Sequence, residues 1–390
     1  MSWEKVSIKD VALGIYDGPH ATPPEANSGA IFLGIPNFVN GQLDLTNIRY
    51  ISEDDYPKWT KRVIPKENDI VFSYEATLNL YAIIPKGFRG CLGRRMALIR
   101  PDETKINHKF LYYYFYSKAW RDVISENTVL GATVDRIPLV KFPEFQIEVP
   151  PIDIQKRIAD ILSAYDDLIE NNQKQIKLLE EAAQRLYKEW FVDLRFPGHE
   201  DVKVVNGVPE GWKRERLVDI ADVQYGYAFD GSLFNSEGNG MPIIRIRNIP
   251  DGITKDYTTE EADEQYIVKN GDIVVGMDGE FHINSWSGED SYLVQRTCRI
   301  KPHNADMSGY LIQAIYEPIK FFESTVVGAT VAHLGKKHID TITILTAPEE
   351  MYEPFQRYFN KRQLLLNQNQ LLAEARDRLL PKLMSGELEV

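Results

Sequence analysis

The most regular pattern of apolar residues lies in two stretches, one in the middle of the chain and one at its end. The first stretch is Ile154–Leu186 and the second is Phe355–Leu383. In each, apolar side chains recur at steps of three and four residues, which predicts a long amphipathic helix with one apolar stripe. Asn172 and Asn369 fall on the two stripes. A single asparagine at such a position fixes the register of a coiled coil at a cost in stability.

Before each predicted helix, the pattern changes to short apolar runs separated by glycine, proline and asparagine. The runs that predict strands are Ile31–Ile35, Ile70–Tyr74, Met241–Ile246 and Asp272–Gly276. Phe110–Ser117 has instead the spacing of a short helix. We therefore predict that each globular half is α+β with a mixed, twisted sheet.

The chain also contains an internal duplication. Four blocks of the first half recur in the second half, in the same order. The paired blocks are Trp3–Ala12 with Trp212–Ala221, Asn68–Phe72 with Gly271–Val275, Arg95–Pro101 with Arg296–Pro302, and Thr128–Val134 with Thr325–Val331. Four matches in one order indicate a repeated domain. The sequence thus predicts a domain at residues 1–150, a helix at 151–197, a second domain at 198–347 and a second helix at 348–390.

Composition narrows the class of protein. An apolar fraction of 43% and a mean hydropathy of -0.33 are those of an ordinary globular protein. The sequence has neither a run of eighteen apolar residues nor the pattern of a signal peptide, so we expect no membrane association. Cys91 and Cys298 lie far apart in apolar runs, and we expect two reduced, buried thiols of a cytoplasmic protein. The net charge of -12 argues against a nonspecific nucleic-acid coat but allows local basic patches.

The sequence has no motif that supports catalysis. It lacks a phosphate-binding loop ending in Gly-Lys-Ser/Thr, a histidine or cysteine spacing suited to zinc, and the Asn-Pro-Pro-aromatic motif of adenine methyltransferases. The acids of Pro101–Lys105 are adjacent in sequence, which favours an ordinary turn over part of a nuclease metal motif. We therefore predict a chain without a catalytic residue, a metal site or a cofactor of its own.

The chain resembles the specificity subunit of type I restriction-modification systems over essentially its whole length. The resemblance rests on the duplicated domain that alternates with two helices, and on motifs around the first junction. The motif residues are Gly131-Ala132-Thr133, Ile147-Glu148-Val149-Pro150-Pro151, Gln155, Arg157-Ile158, Ile161-Leu162, Ile169-Glu170-Asn171-Asn172 and Leu186-Tyr187-Lys188-Glu189-Trp190-Phe191-Val192. The second junction departs from this pattern, because Tyr352 stands opposite Gln155 and Ala347-Pro348 replaces the double proline.

The resemblance implies a specific architecture and function. The fold would be α+β, with two target-recognition domains of mixed twisted sheets separated by two long helices that pair as an antiparallel coiled coil with pseudo-twofold symmetry. Such a chain reads a split, asymmetric target in double-stranded DNA, because the duplex has twofold axes and the two domains differ in sequence. The resemblance also implies partners, two adenine methyltransferase subunits and two motor-nuclease subunits. S-adenosylmethionine, ATP and magnesium would belong to those partners.

Candidate DNA-binding residues are those with side chains suited to base edges or phosphates. They lie mainly in loops near the predicted strands, among the arginines and in the Gly-Ala-Thr blocks. The candidates in the first half are Tyr16, His20, Thr22, Tyr74, Glu75, Arg94, Arg95, Gly131 and Thr133. Those in the second half are Tyr225, Tyr227, Arg245, Arg247, Asp278, His282, Arg296, Gly328, Thr330, Lys336 and Lys337.

Each group of candidates also has a structural interpretation. Arg245 and Arg247 alternate along a predicted strand, which would place both guanidinium groups on one face for bidentate contacts, or leave them in structural ion pairs. Glu75 is suited to a cytosine amine, or is a solvated acid. The Gly-Ala-Thr blocks fit phosphate binding or a structural turn that needs glycine. Lys336 and Lys337 fit a solvated face that touches the DNA backbone.

Two other classes of protein remain open on the sequence alone. One is the recognition subunit of a related type II or methylation-only system, which would bind DNA similarly but with different partners. The other is a coiled-coil scaffold that binds only proteins. Retention of a split oligonucleotide in the presence of competitor DNA separates readers from scaffolds.

Overall fold

The computed structural model describes residues 3–131, 134–325 and 332–390. The chain divides into two compact units, and each long helix contributes to both of them. Unit 1 comprises Met1–Asp167 and Leu372–Val390, and unit 2 comprises Leu168–Leu371. Domain 1 denotes residues 3–150 within unit 1, and domain 2 denotes residues 198–347 within unit 2.

Unit 1 contains a mixed α+β domain and the facing ends of the two long helices. Its strands are β1 (Glu4–Ser7), β2 (Ala12–Asp17), β3 (Ala30–Leu33), β4 (Phe38–Val39), β5 (Gln42–Leu43), β6 (Arg49–Ile51), β7 (Ile70–Ser73), β8 (Tyr81–Ile83), β9 (Gly90–Leu92), β10 (Met96–Pro101) and β11 (Gln146–Val149). Its helices are α1 (Tyr56–Trp59), α2 (His108–Tyr114), α3 (Lys118–Asn127) and the start of α4 (Ile152–Tyr187). The main sheet is antiparallel in the order β2-β10-β7-β8. A second sheet is mixed, because β3 pairs antiparallel with β6 and parallel with β9.

Unit 2 has the same kinds of elements. Its strands are β12 (Val204–Val205), β13 (Val208–Pro209), β14 (Lys213–Arg216), β15 (Ala221–Tyr225), β16 (Phe234–Asn235), β17 (Met241–Ile244), β18 (Tyr257–Thr258), β19 (Ile267–Val268), β20 (Ile273–Gly276), β21 (Ile283–Ser285), β22 (Ser291–Leu293), β23 (Thr297–Pro302) and β24 (Thr343–Thr346). Its helices are the rest of α4, which ends in a π-helical turn (Lys188–Val192), with α5 (Leu217–Ile220), α6 (Ser308–Ala314), α7 (Tyr316–Thr325), α8 (Lys336–Ile339) and the start of α9 (Glu353–Met384).

The predicted duplication is present in the topology. The antiparallel order β15-β23-β20-β21 in unit 2 repeats β2-β10-β7-β8 of unit 1, and the two-stranded sheet β14-β24 repeats β1-β11. In the mixed sheets, β17 pairs parallel with β22, as β3 does with β9. The predicted α+β class with mixed sheets is confirmed.

Aromatic side chains fill the core of each unit. In unit 1, Trp120 is fully buried and its indole Nε1 donates a hydrogen bond to the hydroxyl of Tyr81 (2.8 Å). In unit 2, Phe355 of α9 packs in the core with Tyr310 and Phe191. Both large cores are closed by residues of the long helices, so each domain is anchored to helical segments of its own unit.

The two long helices contact each other within each unit. In unit 1, Ile158 of α4 shares the core with Leu383 of α9, and Asp166 pairs with Arg376. In unit 2, Asn172 bonds Asn369 and Glu180 pairs with Arg362. Partner numbers on α9 fall as those on α4 rise, so the facing segments run antiparallel. Leu168 departs from the predicted buried stripe, because its side chain is 51% exposed.

The start of α4 is fixed by a buried glutamine. Gln155 is 1% exposed, and its Oε1 accepts a hydrogen bond from the backbone N–H of Asn107 (2.9 Å). Its Nε2 donates to the carbonyl of Pro150 (2.9 Å). Gln155 therefore ties the start of α4 to domain 1, and its buried side-chain amide has partners for both its oxygen and its nitrogen.

Two further features of the structure are the state of its thiols and the composition of its helices. Cys91 and Cys298 are free and buried, and burial raises the pKa of each thiol to about 12, so neither is a reactive nucleophile. Among the described helices, none combines the length and apolarity needed to cross a membrane.

Candidate nucleic-acid interface

The residues after strands β7 and β20 lie in the same backbone frame in both domains. In domain 1, the N–H of Tyr74 donates to the carbonyl of Arg95 (3.1 Å), and the carbonyl of Tyr74 accepts from Ile137 (2.8 Å). In domain 2, Met277 bonds Arg296 (2.8 Å) and Leu334 (2.7 Å) in the same way. The duplicated scaffold thus presents the side chains that follow these strands in equivalent positions.

Domain 1 brings three of its predicted residues together. The Tyr74 hydroxyl donates to the carbonyl of Arg94 (2.8 Å) and lies 3.4 Å from Nδ1 of His20. Burial, with the nearby charges of Asp17 and Glu75, raises the pKa of Tyr74 to about 12, so the phenol stays protonated at neutral pH. Sequence reasoning missed Asp17, whose carboxylate lies 3.1 Å from Nε2 of His20 and also pairs with Arg62.

The other candidates of domain 1 have different surroundings. Tyr16 lies on β2, and the guanidinium of Arg100 stands 5.9 Å from its ring centroid. Thr22 is exposed, as is the side chain of Arg94 in the cluster. Arg95 is half-buried, and its Nε has no hydrogen-bond partner among the described residues. Glu75 is half-buried and forms an isolated antiparallel bridge with Arg136.

Domain 2 places a carboxylate between an arginine and a histidine. Oδ1 of Asp278 lies 2.5 Å from Nδ1 of His333, and Oδ2 pairs with Nη1 of Arg296. Burial acts to raise the pKa of Asp278, but the hydrogen bonds from His333 and Arg296 outweigh it, so the pKa lies below its usual value. Asp278 is therefore ionised at neutral pH. His282 is not part of this cluster and lies instead 3.7 Å from Glu280.

Sequence reasoning missed His333 and Arg136, although the duplication contained the signal. The Thr128–Val134 and Thr325–Val331 blocks match, and continuing that alignment places Arg136 opposite His333. Both residues bridge to the acid that follows the central strand of their own domain, Glu75 or Asp278.

The two early tyrosines of domain 2 are held inside it. Tyr225 ends β15, and its buried hydroxyl has no hydrogen-bond partner in the described part of the chain. Tyr227 donates its backbone N–H to the carbonyl of Leu293 (2.9 Å), and its ring packs against Tyr266 at 5.2 Å between centroids. Both side chains are half-buried, so only part of each ring is accessible.

The prediction that Arg245 and Arg247 share one strand face is wrong. Strand β17 ends at Ile244, and Ile246–Asn248 form a 3-10 turn in which Asn248 Oδ1 accepts from the N–H of Arg245 (2.8 Å). Arg245 stacks on Phe234, with its guanidinium carbon 5.6 Å from the ring centroid. Arg247 binds Asp256 through both Nε (3.2 Å) and Nη2 (2.5 Å). The asparagine-capped turn ends the strand before the arginines.

The Gly-Ala-Thr candidates are only partly described. Thr133, Gly328 and Thr330 lie outside the described residues. At Gly131, a side-chain Cβ would collide with the carbonyl oxygen of Val134, so the turn requires glycine for steric reasons. Lys336 and Lys337 are exposed at the start of α8. In the described ranges, no group of three His, Cys, Asp or Glu side chains is placed to hold a metal ion.

A duplicated α+β domain, anchored to antiparallel helices and presenting charged side chains after equivalent strands, defines a two-domain protein with a helical connector. Residues 2–181 and 209–368 match the family described as the type I restriction modification DNA specificity domain. These segments make up most of the chain, which therefore belongs to this family of non-catalytic specificity subunits of type I restriction-modification systems.

Named relatives are similar over most of their length. The MjaIX specificity subunit of Methanocaldococcus jannaschii is 27% identical over 362 residues, covering 88% of this chain and 82% of the relative. The HindI specificity subunit of Haemophilus influenzae is 22% identical, with 99% of both chains covered. The crystal structure of the S subunit from M. genitalium has the same fold, with a TM-score of 0.56, 16% identity, and 98% and 96% of the two chains covered.

Proposed function

We propose that the chain recognises a split, asymmetric target in double-stranded DNA, with one half-site read by each domain. The observation that carries this proposal is the pair of equivalent backbone frames with different side chains. Tyr74 and Glu75 follow β7 in domain 1, whereas Met277 and Asp278 occupy the same positions after β20 in domain 2. Equivalent frames favour the same mode of docking, and different side chains favour different bases.

The pairing of the two long helices supports a specific arrangement of the two domains on DNA. Antiparallel pairing of α4 and α9 fits two recognition domains, residues 1–150 and 198–347, related by a pseudo-twofold axis and connected by helices at 151–197 and 348–390. Such a protein meets the two half-sites in inverted orientation, since duplex DNA has twofold axes of its own. The base pairs between the half-sites are then spanned but not read.

We further propose that the chain docks two adenine methyltransferase subunits and two motor-nuclease subunits in the cytoplasm. S-adenosylmethionine, ATP and magnesium belong to those subunits in this proposal. The net charge of -12 supports it, because partners would then supply much of the positive charge that phosphates require. The DNA-facing residues of this chain are proposed to be the candidates predicted from the sequence, with Arg136 and His333 added.

A methylation map tests this proposal directly. The full chain is produced with the methyltransferase subunits of its own system in a host without adenine methylation, and methylated adenines are mapped across the genome. We expect one split motif with two unlike halves. Omitting this chain is the control, and it should abolish methylation at that motif.

Domain exchange then tests whether each domain reads its own half-site independently. Replacing residues 1–150 with the matching domain of a relative should change one half of the motif and leave the other half and the spacing intact. Simultaneous change of both halves would contradict independent reading. When the whole system is produced, methylation without a matching restriction activity would favour a methylation-only system. Failure to retain any split oligonucleotide over competitor DNA would favour a protein-binding scaffold.

A further inference from the structure

In the cluster of Asp278, Arg296 and His333 in domain 2, the carboxylate is shielded from solvent and the other two side chains are exposed. The Asp278 side chain is 11% exposed, whereas those of Arg296 and His333 are 63% and 58% exposed. A shielded carboxylate thus holds two accessible side chains, a guanidinium and an imidazole. A carboxylate in this position orients a guanidinium strongly, because charge-assisted hydrogen bonds are short and directional.

Arg296 also has an unusual backbone conformation. Its φ of 68° lies in the left-handed region, although it is not a glycine, and it links β22 to β23. Arg95, which matches it in domain 1, has no positive φ. Side chains larger than glycine occupy this region at a cost, and such residues cluster at functional sites where the surrounding structure enforces them.

One edge of the Arg296 guanidinium is available to a ligand. Its contact with Asp278 is made through Nη1, and in the described part of the chain neither Nε nor Nη2 has a protein partner. An Nε–Nη2 edge matches the O6 and N7 acceptors that guanine presents in the major groove. A lysine has no such planar pair of donors.

We propose that Arg296 contacts a guanine in the half-site read by domain 2, with Asp278 and His333 as its positioning residues. This inference rests on the proposed function and names the base chemistry of one position. Domain 1 differs at the same place. Its acid Glu75 bridges Arg136 through the backbone, without a side-chain ion pair between them among the described residues. The guanine contact is therefore assigned to domain 2 alone.

Single-residue variants test the inference in the methylation map and in binding. The full chain, with its methyltransferase subunits, is titrated with double-stranded oligonucleotides that carry the mapped motif or a single base-pair change. We expect Arg296→Ala to lose roughly 5- to 150-fold of discrimination at one G·C pair of the domain 2 half-site, the range for a bidentate base contact. Discrimination in the other half-site should not change.

Further variants distinguish the residue that contacts the base from the residues that position it. Arg296→Lys should fail to restore discrimination, because it keeps the charge without the planar pair of donors. Asp278→Asn and His333→Ala should relax the same G·C pair, and His333→Asn, which keeps a nitrogen donor close to the position of Nδ1, should retain part of the discrimination. Arg216→Ala is the matched control, since Arg216 forms an exposed ion pair with Asp219 (2.6 Å) elsewhere in unit 2.

Failure of the Arg296 inference can be distinguished from failure of the proposed function. If the wild-type chain directs no split motif, the proposed function fails. If it does, but Arg296→Ala keeps full discrimination or weakens binding equally for every sequence with a shallower salt slope, Arg296 is not a base reader. If Arg296→Ala lowers the thermal midpoint, Arg296→Lys decides, because undiminished discrimination in that variant contradicts bidentate recognition.

Discussion

The side-chain amide of Asn172 on α4 donates a hydrogen bond of 2.9 Å to Oδ1 of Asn369 on α9. Asn172 is buried and Asn369 is half-buried, so this pair is an uncharged polar contact on the apolar stripes of the two helices. The sequence places the two residues on the apolar stripes of their helices, and the structure of unit 2 joins them. A buried asparagine pair sets register because a shifted alignment would leave both amides unpaired.

The first prediction concerns this pair. Asn172→Leu alone should lower the free energy of unfolding by about 1–3 kcal/mol, since it leaves the Asn369 amide without its partner. The double leucine variant should recover that loss or exceed the wild type, because it replaces a polar pair with an apolar contact. Chemical denaturation measures both. Asn171→Leu, at the exposed neighbouring position, is the control, and an equal loss there would show that the hydrogen bond is irrelevant.

The second prediction concerns the anchor between α9 and domain 1 within unit 1. Arg376 donates from Nη1 to Asp166 (2.5 Å), and the other oxygen of Asp166 accepts from the hydroxyl of Tyr113 (2.5 Å). Arg376→Ala should destabilise the chain by about 1.5–3 kcal/mol, the range for hydrogen bonds to charged groups. Arg378→Ala is the control, because its pairing with Glu374 is on an exposed helix face. Equal midpoints for the two variants would contradict the anchor.

The third prediction concerns pH and the Arg247–Asp256 pair. Burial acts to raise the pKa of Asp256, but hydrogen bonds from Arg247 and Asn248 outweigh it, so the folded pKa lies below 3.8. Such a carboxylate contributes stability that is fully present above the unfolded pKa and is lost as pH falls through the folded pKa. Asp256→Asn should therefore lower the thermal midpoint at pH 6, and its difference from the wild type should disappear only as pH falls below the folded pKa of Asp256.

The size of this effect should be modest. Arg247 is mostly exposed, and solvent-exposed ion pairs contribute about 0.2–1 kcal/mol. Asp251→Asn, which changes an exposed acid in the same loop, is the control and should leave the dependence of the thermal midpoint on pH unchanged. A gap between Asp256→Asn and wild type that persists at low pH would show that the loss comes from packing rather than from the charge.

The long-range periodic features of this fold were predictable, and the local turns were not. The stripes of α4 and α9 span many helical turns, so isolated exceptions such as Leu168 do not obscure them. The end of β17 at Ile244 depends on one side chain, Asn248, which accepts from the Arg245 backbone. A strand-like alternation that continues to Arg247 cannot reveal that hydrogen bond.

In the candidate site, too, the repeated features were predictable from the sequence, whereas a contact between distant segments was not. Asp278 and Arg296 were found because each follows or begins a repeated strand block. His333 lies 55 residues from Asp278 in sequence, and only the folding of unit 2 brings the two side chains together. Repeat alignment predicts equivalent positions, whereas contacts between distant segments depend on the tertiary fold.

The last prediction tests the proposed role of α4 and α9 as a ruler between the two reading domains. Asn172 lies opposite Asn369 and Glu180 opposite Arg362, so Gln175 and Leu366 fall at matching points of the two helices. Inserting one heptad after Gln175 and another before Leu366 therefore preserves these pairs. Seven residues lengthen a helix by about 10 Å and return the apolar stripe to within roughly 20° of its original face.

On DNA, about 10 Å corresponds to ~3 base pairs at 3.4 Å each, and ~3 base pairs rotate the far half-site by roughly 100°. The heptad variant should lose its preference for the original gap and select a longer gap between unchanged half-sites, as measured by DNA selection with randomised spacer lengths. A variant with a single heptad in α4 only is the control, and it should lose helix pairing and thermal stability. Undiminished preference of the double insertion for the original gap would show that the helices do not set the spacing.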